Sequence, residues 1–173
     1  MAHLQVWGRS LSGKSSLVKA ICRSSSYNVP ALIYDPIAPR PGVDIGDWRG
    51  VVCTDWLDFH DRFWRSTGCI AVVDEAGSVC ADYDQRLQLR AMLQRGRHPP
   101  TCHAAILISQ RYTDVDKTAR EQCTSLRCFR VSDTDAKALA AEWGDALLGA
   151  SNLPPGQFFA ADGCGPVRLC KLF

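Results

Sequence analysis

The stretch Gly8-Arg9-Ser10-Leu11-Ser12-Gly13-Lys14-Ser15 fits G-x-x-x-x-G-K-[ST] at every fixed position. Small residues at this spacing let successive backbone N–H groups converge on phosphate oxygens. A helix beginning at the end of the loop adds the positive end of its dipole. In such a loop Lys14 reaches the β and γ phosphates and the Ser15 hydroxyl ligates Mg2+. Gly8, Arg9, Ser10, Leu11, Ser12, Gly13 and Ser16 complete the binding segment, and the cofactors implied are ATP and Mg2+. The motif alone does not distinguish a kinase, a GTPase, a switch or a nucleic-acid motor.

Three further groups of residues narrow the chemistry. The apolar run Cys69–Val73 ends at Asp74-Glu75. An acidic residue at a strand end suits Mg2+ or its water, which gives Asp74 a metal role. A second carboxylate beside it can take a proton from water, so Glu75 is the candidate general base. Ile106-Leu107-Ile108 leads to Ser109-Gln110, and an amide at the end of a neighbouring strand can touch a γ phosphate or orient water. Gln110 is therefore the candidate sensor. The third group is basic: Arg86, Arg90, Arg95 and Arg97 lie in a stretch without acidic residues and are candidates for DNA phosphate contact.

The elements that must position these residues read as alternating strands and helices. His3–Trp7 precedes the loop as a strand and Ser16–Cys22 follows it as a helix. Strands are expected at residues 30–35, 51–53, 69–73, 102–108 and 126–131, with helices over 56–66, 85–95, 114–123 and 133–148. Thr54 or Asp55, Asp84, and Ser132 or Asp133 are the expected helix caps. Trp56, Phe59, Phe63 and Trp64 share one helical side and read as packing residues. The Pro-rich stretch 36–50 reads as a long loop able to meet a partner or substrate. Residues 157–161 and 166–173 read as a closing β-hairpin. The whole pattern predicts one α/β domain over residues 1–173, with a largely parallel sheet and helices on both faces.

Composition adds limits. A net charge of +2 favours no class of partner by itself. The nine cysteines show no C-x-x-C spacing, and several sit in apolar runs where they act as small hydrophobes. With no apolar run long enough to span a membrane and no apolar signal segment at the start, the sequence reads as cytosolic and reduced.

These motifs, in this order, resemble the FtsK/HerA division of P-loop ATPases, with a RecA-like core. Within it they resemble the small genome-packaging ATPases of membrane-containing double-stranded DNA viruses. Gly8–Ser15, Cys69–Glu75 and Ile106–Arg111 carry the likeness. Arg95-Gly96-Arg97-His98 looks like the family's basic turn, and Arg127–Val131 like its late arginine-bearing strand. The resemblance implies a hexameric ring translocating double-stranded DNA, with Arg127 as a finger reaching a neighbour's nucleotide and Arg95 or Arg97 as runners-up; with no base-reading motif in the sequence, contact without regard to DNA sequence is expected. It also implies a capsid or membrane-vertex partner, and a place in the host cytoplasm or at the virion packaging vertex. Two other functions fit the loop: a small P-loop kinase acting on a nucleoside or other metabolite, and a nucleotide-gated assembly protein.

Overall fold

Four consecutive apolar residues, Ile70 to Val73, form strand β4 and are buried on both faces. That requires layers above and below, which the computed structural model of the chain supplies for residues 3–25, 29–37 and 48–172. Ala71 and Val73 join one core with Trp56, Phe59, Phe63, Leu89 and Leu93. Ile70 and Val72 join the opposite core with Val6, Val18, Cys22, Ile106 and Phe129. An unalternating strand is the sequence signature of this two-sided burial.

In chain order the strands are β1 (His3–Trp7), β2 (Ala31–Tyr34), β3 (Val51–Cys53), β4, β5 (Ala104–Ser109), β6 (Cys123–Cys128), β7 (Gln157–Asp162) and β8 (Arg168–Lys171). They form one sheet in the order β3-β2-β4-β5-β1-β6-β7-β8. Pairing is parallel from β3 through β6 and antiparallel at β6–β7 and β7–β8. The expected α/β fold with a closing hairpin is thus present.

Helix α1 (Lys14–Ser25) follows the loop, and α2 (Trp56–Arg65) is capped by Asp55, whose carboxylate accepts from Asp58 N–H. Trp56, Phe59 and Phe63 are buried against the sheet, as their spacing predicts. Helix α3 (Ala76–Ala81) is unforeseen by the sequence reading, although buried Ala76, Val79 and Cys80 mark one helical face. Helix α4 (Tyr83–Arg95) begins after Asp82, two residues before the expected cap. Helix α5 (Lys117–Glu121) is shorter than expected. Helix α6 (Asp133–Trp143), capped by Ser132, gives way at Gly144 to a 3-10 helix, Asp145–Asn152, rather than continuing to Leu148. Residues 38–47 of the expected loop lie outside the described residues.

Two buried imidazoles tie the helical layer to the strands. His103 Nδ1 accepts from Cys69 N–H at 3.1 Å, which leaves Nε2 to donate to the Phe63 carbonyl at 2.9 Å. His3 repeats the arrangement between Ala105 N–H and the Leu93 carbonyl. Both need the neutral ring, and burial lowers both pKa values below 6.5. The stabilisation is therefore complete above the unfolded-state pKa and lost as pH falls toward the folded one. His103→Ala should cost about 2 kcal/mol near neutral pH by orphaning the buried Cys69 N–H and leaving the Phe63 carbonyl only the Ser66 hydroxyl as a side-chain donor. Urea unfolding should show that deficit shrinking as pH falls below 6.5, where the unfolded wild-type chain takes up a proton that the buried ring does not. A deficit independent of pH would contradict the assigned tautomer.

Candidate nucleotide site

The glycine loop leaves β1 at the carboxyl edge of the sheet, where open α/β folds place their ligands. It is pinned from both sides: Gly8 N–H donates to the Ser109 carbonyl at 3.3 Å, and Arg9 N–H to the Arg130 carbonyl at 2.7 Å. Gly8 must lack a side chain, because a Cβ there would lie 2.7 Å from both Phe129 Cβ and Ser12 Oγ. Gly13 has φ 110°, and Leu11 at the apex takes the left-handed φ of 62°. Ser12 Oγ is buried with no hydrogen-bond partner among the described residues.

Lys14 is only 8% exposed, and its Nζ donates to the Arg9 carbonyl at 3.0 Å, across its own loop. Burial lowers its pKa, against the opposing pull of Asp74 and Glu75. Asp74 follows β4, and its N–H donates to the Tyr34 carbonyl on β2. Burial pushes its carboxyl up to about 6, with Asp35 and Glu75 adding repulsion, while the Glu75 N–H and Lys14 act the other way. Asp35, at the end of β2, is thus an electrostatic member of the site that the motif reading did not single out. Its position one strand from Asp74 was the available signal. Hard oxygen donors and an under-compensated buried carboxylate fit a magnesium ion, which Asp74 and Ser15 would hold.

Glu75 and Gln110 come together although 35 residues separate them: Gln110 Nε2 donates to Glu75 Oε1 at 3.2 Å. The other end of the amide is fixed from the loop, since Ser10 Oγ donates to Gln110 Oε1 at 3.1 Å. A three-residue chain therefore runs from the phosphate loop through the expected sensor to the expected base. Glu75 itself is left-handed, with φ 54° and ψ 44°, at the first turn of α3. A non-glycine residue held there costs free energy, and such strain clusters at functional positions.

The arginines lie elsewhere. Arg127 on β6 spends its guanidinium within the chain: Nη1 meets Asp162 Oδ1 at 2.9 Å, Nη2 meets Oδ2 at 3.3 Å, and Arg168 approaches the same carboxylate. Arg90 is bidentate on Asp116, its Nε donating to Oδ1 at 2.7 Å. Arg86 lies over the Tyr83 ring, and Arg97 donates to Gln122 Oε1. Arg95 is exposed, about half a helical turn round α4 from Arg86. Gly96 and Arg97 adjoin the start of β5, where His103 N–H donates to the Gly96 carbonyl, at the sheet edge away from the loop. The sequence reading grouped these four arginines as neighbours; in the fold they are spread along α4 and beyond its end.

The largely parallel eight-stranded sheet closed by a C-terminal antiparallel hairpin is a fold this chain shares with solved ATPases. The chain is similar in structure to B204, the DNA-packaging ATPase from Sulfolobus turreted icosahedral virus. The TM-score is 0.80 at 18% identity, covering 99% of this chain and 98% of that one. The genome-packaging NTPase B204 from Sulfolobus turreted icosahedral virus 2, solved with AMPPCP, gives 0.76 at 19% identity, covering 99% and 98%. The pCW3 conjugation coupling protein TcpA, solved with ATPγS, gives 0.73 at 16% identity and covers 98% of this chain and 59% of that one. No protein-family model matches the chain, and no curated protein matches it.

Proposed function

We propose that this protein is a Mg2+-dependent ATPase that works as a ring, a homo-hexamer, and drives double-stranded DNA into a preformed viral capsid. The observation that carries the hydrolytic part is the chain from Ser10 through Gln110 to Glu75, which couples the phosphate loop to a carboxylate suited to accept a proton from water. The packaging part is supported by the full-length likeness to a DNA-packaging ATPase. A magnesium ion held by Ser15 and Asp74 would neutralise phosphate charge. Lys14 would exchange the Arg9 carbonyl for phosphate oxygens.

Arg127 serves as the trans finger in this reading by exchanging Asp162 for a neighbour's phosphate. DNA would be held through its backbone by Arg86, Arg90, Arg95 and Arg97, and Arg90 would first have to leave Asp116. A capsid or membrane-vertex protein would hold the ring at the packaging vertex. Among the described residues no helix is long and apolar enough to cross a membrane.

The test joins mass determination by light scattering with ATP turnover, each with and without duplex DNA. Ring formation should accompany turnover, and duplex of unrelated sequences should raise the rate in a strongly salt-dependent manner. A monomer hydrolysing ATP at an unchanged rate with or without duplex overturns the motor reading.

A further inference from the structure

Helix α5 is held at both ends by arginines that stand as candidates for DNA contact. At its start Arg90 of α4 lays its guanidinium on both oxygens of Asp116, and just past its end Arg97 donates to Gln122. The Arg90 side chain is 33% exposed and that of Asp116 14%, so an arriving polyanion meets the cation first. Asp116 also ends a short segment that begins at the expected sensor, Gln110. Its N–H lies 3.5 Å from Cys80 Sγ on α3, and a Cβ on Gly77 of the same helix would stand 3.1 Å from Asp114 Cβ. The segment 110–116 therefore packs along the helix that Glu75 begins. Midway, the N–H and the hydroxyl of Thr113 both donate to the buried Asp135 at 3.2 Å, which gives the segment a fixed point. A cavity of about 540 Å³ beside it, lined by Ser78, Gln110, Arg111 and Asp114 among others, leaves its ends room to shift.

We infer that the Arg90–Asp116 pair is a tether that holds ATP turnover low until duplex DNA draws Arg90 away. This rests on the DNA-motor reading above. A guanidinium fork binds one planar anion bidentately at a time, so a DNA phosphate and the Asp116 carboxylate compete for the same donors. Duplex therefore favours the state in which Asp116 is released, and a ligand that binds one state better shifts the population toward it. Because duplex is expected to raise turnover, the released state is the faster one. Release leaves Asp116 as the cap of α5, its Oδ1 still accepting from Ala119 N–H at 3.1 Å. What it unfastens from α4 is the segment whose first residue, Gln110, is bonded to Glu75. Arg86 lies over Tyr83 and Arg97 meets a neutral amide, so neither of those contacts sets DNA against a carboxylate.

ATP turnover and binding of a mixed-sequence duplex, measured on wild type, Asp116→Asn, Arg90→Gln and the double variant, test the tether. Each single variant opens it, so each should raise turnover without DNA by about fivefold or more and leave duplex to add less than about twofold. Their DNA affinities should move in opposite directions, because Asp116→Asn frees the guanidinium and Arg90→Gln removes it. A merely loosened fold does not produce that split. The double variant should turn over no faster than either single one, as expected for two halves of one interaction. Should Asp116→Asn fail to fold, Arg90→Lys serves in its place: it keeps the charge and loses the fork, so basal turnover should rise while DNA affinity stays above that of Arg90→Gln. Unchanged or lowered basal turnover in either single variant, or increases that multiply in the double variant, overturns the tether. A wild-type protein that hydrolyses ATP and ignores duplex removes the motor reading itself, an outcome distinct from the others.

Discussion

Glu75→Gln should leave nucleotide affinity nearly unchanged while lowering steady-state ATP hydrolysis by roughly a hundredfold to ten-thousandfold, the range for loss of a positioned general base. The substitution keeps the size of the side chain and its ability to accept from Gln110 Nε2, now 3.2 Å away. It removes only the capacity to take a proton from water. Gln110→Ala is the informative companion. Its loss frees Glu75 and leaves the Ser10 hydroxyl without its acceptor, so the base survives but its orientation does not. Turnover should fall less than in Glu75→Gln, and restoring an amide of different length with Gln110→Asn should not recover it. Equilibrium binding of a non-hydrolysable nucleotide and single-turnover hydrolysis separate these effects. Normal turnover by Glu75→Gln would refute the assignment of the base.

What the sequence made legible is what short-range chemistry enforces. The loop at Gly8–Ser15 is written in local residues, because glycine positions and the lysine have few substitutes at that spacing. Strand β4 is equally plain, since burial from both sides leaves no polar position to confuse the pattern. Places where local rules met tertiary demands were misread. The strand expected at 126–131 sits at Cys123–Cys128, because Arg130 must turn to accept from Arg9 and Val131 N–H must reach the Ala150 carbonyl. The alanine- and leucine-rich period after Ser132 hides the break at Gly144, whose φ of 113° no helix continues through. Side-chain pairing was least legible of all. Arg90 finds Asp116 and Arg127 finds Asp162 across 26 and 35 residues, so one candidate for DNA contact and the candidate finger are both paired within the chain.

Asp74→Asn should make the protein more stable as it makes it inactive. In the folded chain without metal or nucleotide, burial raises the Asp74 carboxyl from 3.8 to about 6. The folded state therefore holds a proton that the unfolded state releases between those values, and stability falls as pH rises through that window. Above it the full penalty of an ionised, poorly compensated carboxylate is present, on the order of 2–3 kcal/mol before solvent screening is discounted. Asparagine removes the charge and keeps an oxygen able to accept from Glu75 N–H, a bond of 2.9 Å in the present structure. Urea unfolding in chelator should show a gain of about 1–2 kcal/mol near neutral pH that disappears below the unfolded-state value of 3.8. The sign opposes that of His103, whose protection is lost on acidification, so the two variants separate the limbs of one pH–stability curve. ATP hydrolysis by Asp74→Asn should be abolished at every pH. A variant less stable than wild type near neutral pH, or one whose advantage persists in acid, would show that the carboxylate is compensated by a partner and is not held in reserve for a cation.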